Sequence, residues 1–321
     1  MPYLIGTDEA GYGPNLGPLV ISATLWEVAD GVRSEDLYER LKSVITAAPN
    51  GRNGAATVAL ADSKKLYQSG KGLRLLERGL WAAFSLLGQC PRTCTEVWEG
   101  LAPGAVANRR AECGYCPDET AVPLDADADE SQSRAVALRQ AFDAAGVRLL
   151  QLKSRVIFPE QFNALVEQCG SKGVVLSRAT LDLAALLLDS LPSRQITVIC
   201  DKHGGRDRYM PLLNEYFAES LIEIHGEGRQ QSVYRFGPED RRVEFRFQAK
   251  AESHMPAALA SMASKYLREL AMRALNSFWC SRVPGLAPTA GYPQDALRFK
   301  AQIAGEQSRL GIEDRVLWRI K

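Results

Sequence analysis

The chain has 321 residues, 46% hydrophobic and 24% charged, ordinary globular values that leave ample material for a buried core. A formal net charge of +1 excludes a basic surface overall, so a polyanionic partner would have to meet local positive charge, which the acidic stretch 125–130 masks in the total. No apolar run approaches the ~20 residues that cross a bilayer, and seven cysteines, an odd number, argue against a disulfide framework.

The N-terminus carries no basic segment and no secretory cleavage site, so a cytoplasmic protein is expected. Tyr3 to Thr7 reads as a short buried strand. Residues 19–26 alternate Leu19, Ile21, Ala23 and Leu25 with Val20, Ser22, Thr24 and Trp26, the period of a second strand. The stretch between them, with three glycines and two prolines, forbids regular structure. Val58 to Leu60 is a third candidate strand, and Ser69 is placed to cap a helix striped by Leu73, Leu76, Leu80, Phe84 and Leu87.

The segment from Cys90 to Ser133 lacks periodicity and is expected to be an irregular insertion. Its Cys90-x3-Cys94 and Cys113-x2-Cys116 could hold a structural zinc, but the first spacing is loose, and free cysteines are expected. A helix over 133–145, a strand over 147–158 and a helix opened by Pro159 follow. The spacing then predicts a helix over 178–191, a strand over 195–200 that delivers Asp201, and a strictly alternating strand over 242–250. A long helix carries Leu259, Met262, Tyr266 and Leu270 on one face. This order indicates a mixed α/β sheet flanked by helices, with a C-terminal helical extension.

Four acids stand where these elements stop. Asp8 and Glu9 close the first strand, Asp201 ends another, and Glu252 follows the alternating strand, in phase with Arg246 and Lys250 if that strand continues. One acid at a strand end is more often a turn former than a catalyst; the combination carries the case. Clustered carboxylates repel and need a cation, and an all-oxygen set selects Mg²⁺ or Mn²⁺ over zinc. Such a site suits phosphodiester hydrolysis with two metals. His203 is a candidate for moving protons or assisting product release, and Arg206 and Arg208 for binding phosphate.

Ile5-Gly6-Thr7-Asp8-Glu9-Ala10-Gly11-Tyr12-Gly13-Pro14 resembles the N-terminal signature of ribonucleases HII and HIII, the type 2 ribonucleases H. The likeness recurs in order: Asp62-Ser63-Lys64-Lys65-Leu66, Ala179-Thr180-Leu181 leading to Asp201, Lys250-Ala251-Glu252 with Ala260 to Arg268, and Gly291-Tyr292-Pro293. It implies a ribonuclease H-like fold and two-metal hydrolysis to a 5′-phosphate and a 3′-hydroxyl. Asp8, Glu9, Asp201 and Glu252 would be catalytic metal ligands. Gly11, Tyr12 and Gly13 would form the loop whose backbone senses a ribose 2′-hydroxyl, Lys64 and Lys65 would lie near phosphates, and Tyr292 would pack on a sugar. His203 and Arg206 complete the expected substrate contacts.

Three positions depart from the family pattern. Tyr12 stands where Arg or Lys is usual, Glu252 where Asp is usual, and Ala287-Pro288-Thr289-Ala290 replaces the basic residues before the late glycine. The expected partner is an RNA–DNA hybrid or ribonucleotide-containing duplex DNA, with no membrane association and a monomeric chain. The expected organisation is a catalytic domain over 1–275, with an insertion at about 90–135, and an extension over 276–321 that contributes to substrate binding. The competing reading is a non-catalytic nucleic-acid-binding protein with a degenerate metal site. A dinucleotide-binding reading fails, because the residues after Gly11-Tyr12-Gly13, Pro14-Asn15-Leu16-Gly17-Pro18, cannot open a helix.

Overall fold

Alternation and capping are local signals, and they account for most of the elements in the computed structural model, which describes residues 1–49, 57–67, 72–105, 119–192 and 194–320. The chain runs through β1 (Tyr3–Ala10), β2 (Leu19–Val28), α1 (Leu37–Arg40), β3 (Ile45–Thr46), β4 (Val58–Ala59), α2 (Ser63–Leu66) and α3 (Arg74–Leu86). It continues with α4 (Cys94–Leu101), α5 (Ala128–Ala145), β5 (Val147–Ile157), α6 (Pro159–Cys169), α7 (Lys172–Asp189), β6 (Ile196–Asp201) and α8 (Met210–Tyr216). The last elements are β7 (Glu223–Glu227), β8 (Gln231–Phe236), β9 (Val243–Gln248), α9 (Met255–Cys280), α10 (Pro293–Arg309) and α11 (Asp314–Leu317).

Seven strands form one sheet in the order β5-β2-β1-β6-β9-β8-β7, while β3 and β4 pair separately. β2 is antiparallel to both β1 and β5, and β8 to both β9 and β7. The centre is parallel: β1 lies beside β6, and β6 beside β9. Parallel neighbours present their C-terminal ends at one edge of a sheet. The register Thr7↔Cys200 therefore sets Asp8 level with Asp201, which itself faces Gln248 at the end of β9.

Helices cover both faces, which is why Tyr3 to Thr7 of β1 and Leu19 to Trp26 of β2 are buried at every position rather than at alternate ones. On one face α3, α5 and α9 enclose Trp26, Leu80, Met262, Tyr266 and Trp279. On the other, α6, α7 and α8 pack over Ile5, Ile21, Val198, Phe245 and Phe247.

The start of α9 lies against β1. A Cβ on Gly6 would stand 2.2 Å from the backbone carbon of Pro256 and 2.3 Å from the nitrogen of Ala257. The Thr24 hydroxyl donates to the Pro256 carbonyl at 2.8 Å in the same contact. Gly6→Ala must push a buried helix off the sheet, and a loss of about 3 kcal/mol is expected, seen as a lower denaturant midpoint at unchanged slope. A midpoint equal to the parent's would show that the helix retreats freely.

Several expectations need correction. Part of the segment expected to be irregular is regular: Cys94–Leu101 is a helix, capped by the Thr93 hydroxyl, which accepts from the Glu96 N–H. Trp98, fully buried, stacks on Phe158 in the core. The Thr-x-x-Glu signature that marks this helix start was present in the sequence. The following turn is held from within, since the buried Glu77 carboxylate accepts from the N–H groups of Leu124, Asp125 and Ala126 at 2.6, 2.7 and 2.8 Å. Cys90 is exposed and Cys94 buried; Cys113, Cys116 and the proposed cap Ser69 lie outside the described residues.

The strand expected over 242–250 stops at Gln248. Lys250 then takes a left-handed conformation (φ 62°), and Ala251–Ser253 forms a tight turn, so Glu252 is aimed by a turn rather than by strand phase. No helix among the described residues is long and apolar enough to cross a membrane.

Candidate active site

Four acids arrive at one sheet edge from three places. Asp8 and Glu9 lie within the last three residues of β1, Asp201 is the last residue of β6, and Glu252 sits in the turn after β9. All four are half-buried, and each is pushed towards its neutral form. Burial is the largest cause at Asp8, followed by the charges of Glu9, Asp201 and Glu252, against a lowering hydrogen bond from Ser261. Burial and then Asp201 push Glu9 up to about 7, with Lys64 opposing.

Burial also raises Asp201, while the backbone N–H groups of Ala251 and Lys202 and the charge of Lys64 pull it down. Burial raises Glu252; its own backbone N–H lowers it, and Asp201 and Asp62 raise it further. Carboxylates that raise one another's proton affinity share one electrostatic environment. The structure thus brings all four expected acids together.

Lys64 is the cation among them. Desolvation, the largest single influence, pulls its pKa down, but Asp62, Asp8, Glu252 and Asp201 together hold it above its ordinary value. Its position comes from α2, whose start is capped by Asp62 accepting from the Lys64 N–H at 2.9 Å. The Ser63 hydroxyl meets Ser261 of α9 at 3.0 Å, which joins that turn to the helix that also contacts Asp8. Lys65 is exposed on the same turn.

The donor set is all oxygen, as a hard divalent cation requires, and four carboxyl groups share the environment of Lys64. Among the described residues no three such side chains are drawn in to ligating distance of a common point. Donor chemistry and charge fit Mg²⁺ or Mn²⁺, with Asp8, Glu9, Asp201 and Glu252 as the residues that would hold it.

The glycine loop is held from two sides. Gly11 adopts φ 88°, and a Cβ there would lie 2.5 Å from the Pro18 carbonyl oxygen, so only glycine fits. Gly13 is exposed with open space around it. Arg268, buried in α9, donates to the carbonyls of Leu16 at 3.4 Å and Ala290 at 3.0 Å. The Gly291 carbonyl accepts from Asn15 and Leu16, so Tyr292, 56% exposed, stands beside the loop.

Sequence reasoning missed the second clamp. Arg319, buried, donates to Gly11 O at 2.5 Å and Gly17 O at 2.9 Å, and Trp318 bridges Leu16. No local pattern in 314–320 signals this, because the partners lie some three hundred residues away.

His203 does not take the role expected of it. It is 3% exposed, its Nδ1 lies 3.0 Å from the Ser177 hydroxyl, and it packs edge-on against Tyr209 and Phe247. Burial, aided by the charge of Arg206, lowers its pKa to about 3, so it is a neutral core residue rather than a substrate contact. Arg206 is half-buried, and Arg208 is exposed near Glu227.

No family model and no curated protein matches this sequence. Among solved structures, the chain is similar to ribonuclease HII of Archaeoglobus fulgidus, from a complex with PCNA, at 16% identity and a TM-score of 0.43, covering 99% of this chain and 94% of that one. It is similar to ribonuclease H2 of Pyrococcus horikoshii OT3 at 15% identity and a TM-score of 0.43, covering 98% and 92%. For Bst-RNase HIII in complex with Mn²⁺ the values are 15% and 0.39, covering 99% and 66%. Likenesses this distant bear on no residue's role. By its own strand order, pairing directions and helix layers, the chain has a mixed α/β fold, a seven-stranded sheet flanked by helices, with a C-terminal helical region.

Proposed function

We propose that this protein is a divalent-metal-dependent endonuclease that hydrolyses the RNA strand of RNA–DNA hybrids or ribonucleotide junctions in duplex DNA. The supporting observation is the electrostatic union of Asp8, Glu9, Asp201 and Glu252 at the parallel centre of the sheet, with Lys64 as a cationic counterweight. When bound there, Mg²⁺ or Mn²⁺ would supply positive charge that acidifies the attacking water and stabilises the departing 3′-oxygen.

The chain's own residues do the rest. The four carboxylates hold the cation, and Lys64 and Lys65 attract the phosphates of the strand. Gly11 and Gly13 bring bare backbone close enough to sense a 2′-hydroxyl, with the loop kept in shape by Arg268 and Arg319. Tyr292 offers an exposed ring for a sugar, and the extension over 276–321 contributes through it and through the Arg319 clamp.

The test is incubation of the pure protein with Mg²⁺ or Mn²⁺ and labelled duplexes carrying no, one or several ribonucleotides. Cleavage confined to ribonucleotide-containing strands, leaving 5′-phosphate ends, is expected. Equal cleavage of the all-DNA duplex would rule out ribose recognition.

One observation favours a non-catalytic, hybrid-binding reading: Glu252 is a residue longer by one methylene than aspartate, and it is presented by a turn. Mg²⁺ tolerates displaced ligands poorly. Clearer activity with Mn²⁺ than with Mg²⁺ is therefore expected, with Glu252→Ala inactive and Glu252→Asp equal or better in Mg²⁺. If no metal supports cleavage while hybrids still bind, the non-catalytic reading replaces the first.

A further inference from the structure

Tyr12 leaves the glycine loop and lays its ring among residues from two other parts of the chain. Lys172 Nζ, on the first turn of α7, stands 5.1 Å from the ring centroid. At the hydroxyl end the ring packs on the loop after β6: a Cβ on Gly204 would lie 2.8 Å from the Tyr12 oxygen, and one on Gly173 3.5 Å. Burial and the charge of Glu9 raise the pKa of this hydroxyl, and the charge of Arg206 opposes them.

The neighbouring cations are already engaged. Lys202 Nζ donates to Asp207 at 2.8 Å, Gly228 O at 2.6 Å and the Ser232 hydroxyl at 3.0 Å. Arg178 is paired with Glu215 at 3.0 Å, and Arg208 lies 3.8 Å from Glu227. Lys172 and Arg206 have no carboxylate partner among the described residues, and Arg206 Nε is buried without an acceptor. Two unpaired cations flanking one phenol, beside Glu9, form a site for an oxyanion.

We propose that Lys172, Arg206 and the Tyr12 hydroxyl form a phosphodiester subsite that holds the backbone of a nucleic-acid strand next to Glu9. This rests on the nuclease reading above and adds Lys172 to it. Four clustered carboxylates repel a phosphate. At physiological salt the screening length is about 8 Å, so only cations at the site itself can offset that repulsion. Lys172, on α7, approaches from the face of the sheet opposite α9, whereas Lys64 comes from the α9 side. The strand is therefore gripped on both flanks of the acids. The tyrosine ring fixes the Lys172 ammonium by cation–π contact and leaves its own O–H free to donate.

The test measures binding of a fluorescent RNA–DNA hybrid to the full chain in EDTA, so that nothing is cut, across a salt series. Lys172→Gln and Arg206→Gln are each expected to weaken binding about five- to tenfold and to lower the slope of log Kd against log salt by about one. Arg148→Gln, at the opposite end of the sheet beside Glu27, should change neither. The charge-conserving Lys172→Arg and Arg206→Lys should keep the parental slope.

If the parent binds hybrid and both Gln variants keep its affinity and slope, the subsite is wrong and the nuclease reading stands. If the charge-conserving variants lose as much as the Gln variants, the residues act by packing, and the subsite is again wrong. If the parent binds no duplex, the nuclease reading fails and the subsite falls with it.

Discussion

Asp201→Asn is expected to lower hybrid cleavage by about a thousandfold, equivalent to about 4 kcal/mol of transition-state stabilisation, while leaving the fold intact. The amide is nearly isosteric and keeps an oxygen that can accept from the Ala251 N–H, the 3.3 Å bond tying the end of β6 to the turn that carries Glu252. What it removes is a full negative charge from the centre of the acid cluster, where Asp201 raises the proton affinity of Asp8, Glu9 and Glu252 alike. A divalent cation then loses a ligand and much of the field that attracts it. Cleavage within tenfold of the parent, at equal metal concentration, would remove Asp201 from the catalytic set. The same substitution should not lower stability at pH 8 without metal, because one source of repulsion is gone.

The pH dependence of stability follows from the same charges. The Glu9 carboxyl is pushed from 4.5 to about 7 in the fold, so between those values the folded state binds the proton that the unfolded chain has released. Its contribution is complete below the unfolded value and is lost as pH rises through 7. For a half-buried group this amounts to on the order of 2 kcal/mol. His203 works in the opposite sense: buried neutral, it favours folding above pH 6.5 and costs stability as pH falls below that.

Comparing the parent with Glu9→Gln cancels the histidine. In metal-free buffer the variant should match the parent near pH 4 and exceed it by roughly 2 kcal/mol at pH 8. Millimolar Mg²⁺ or Mn²⁺ at pH 8 should stabilise the parent and not the variant, because ligand binding to the folded state adds directly to its free energy. A pH-independent difference between the two proteins would mean that Glu9 stands apart from the other acids. Failure of either cation to raise the parent's melting temperature would mean that the cluster does not hold metal.

Much of the site was legible because it sits at the ends of strongly patterned elements. The apolar runs of β1 and β6 and the alternation of β9 announced strands, and Asp8, Glu9 and Asp201 stood where those patterns stop. Glu252 was found by motif and misread in mechanism, because a left-handed lysine can end a strand without glycine or proline to mark it. The short strands β7 and β8 escaped notice. β7 is exposed at all five positions, so no burial period exists to be seen. His203 illustrates the opposite error: its neighbour Asp201 suggested chemistry, yet its ring is enclosed by Tyr209 and Phe247 from elsewhere in the chain.

The sequence by itself determined the class of fold, the principal strands and helices, the glycine loop and the candidate acids. Periodicity, turn chemistry and charge are properties of residues within one or two turns of each other. The tertiary structure alone decided that β1, β6 and β9 run parallel side by side, so that acids more than 190 residues apart in sequence meet at one edge. It also decided that Lys64 faces them, that His203 is interior, and that Arg319 near the chain's end grips the loop beside its start. Sheet order, desolvation and long-range charge coupling depend on which distant segments bury one another, and that is set only when the whole core has assembled.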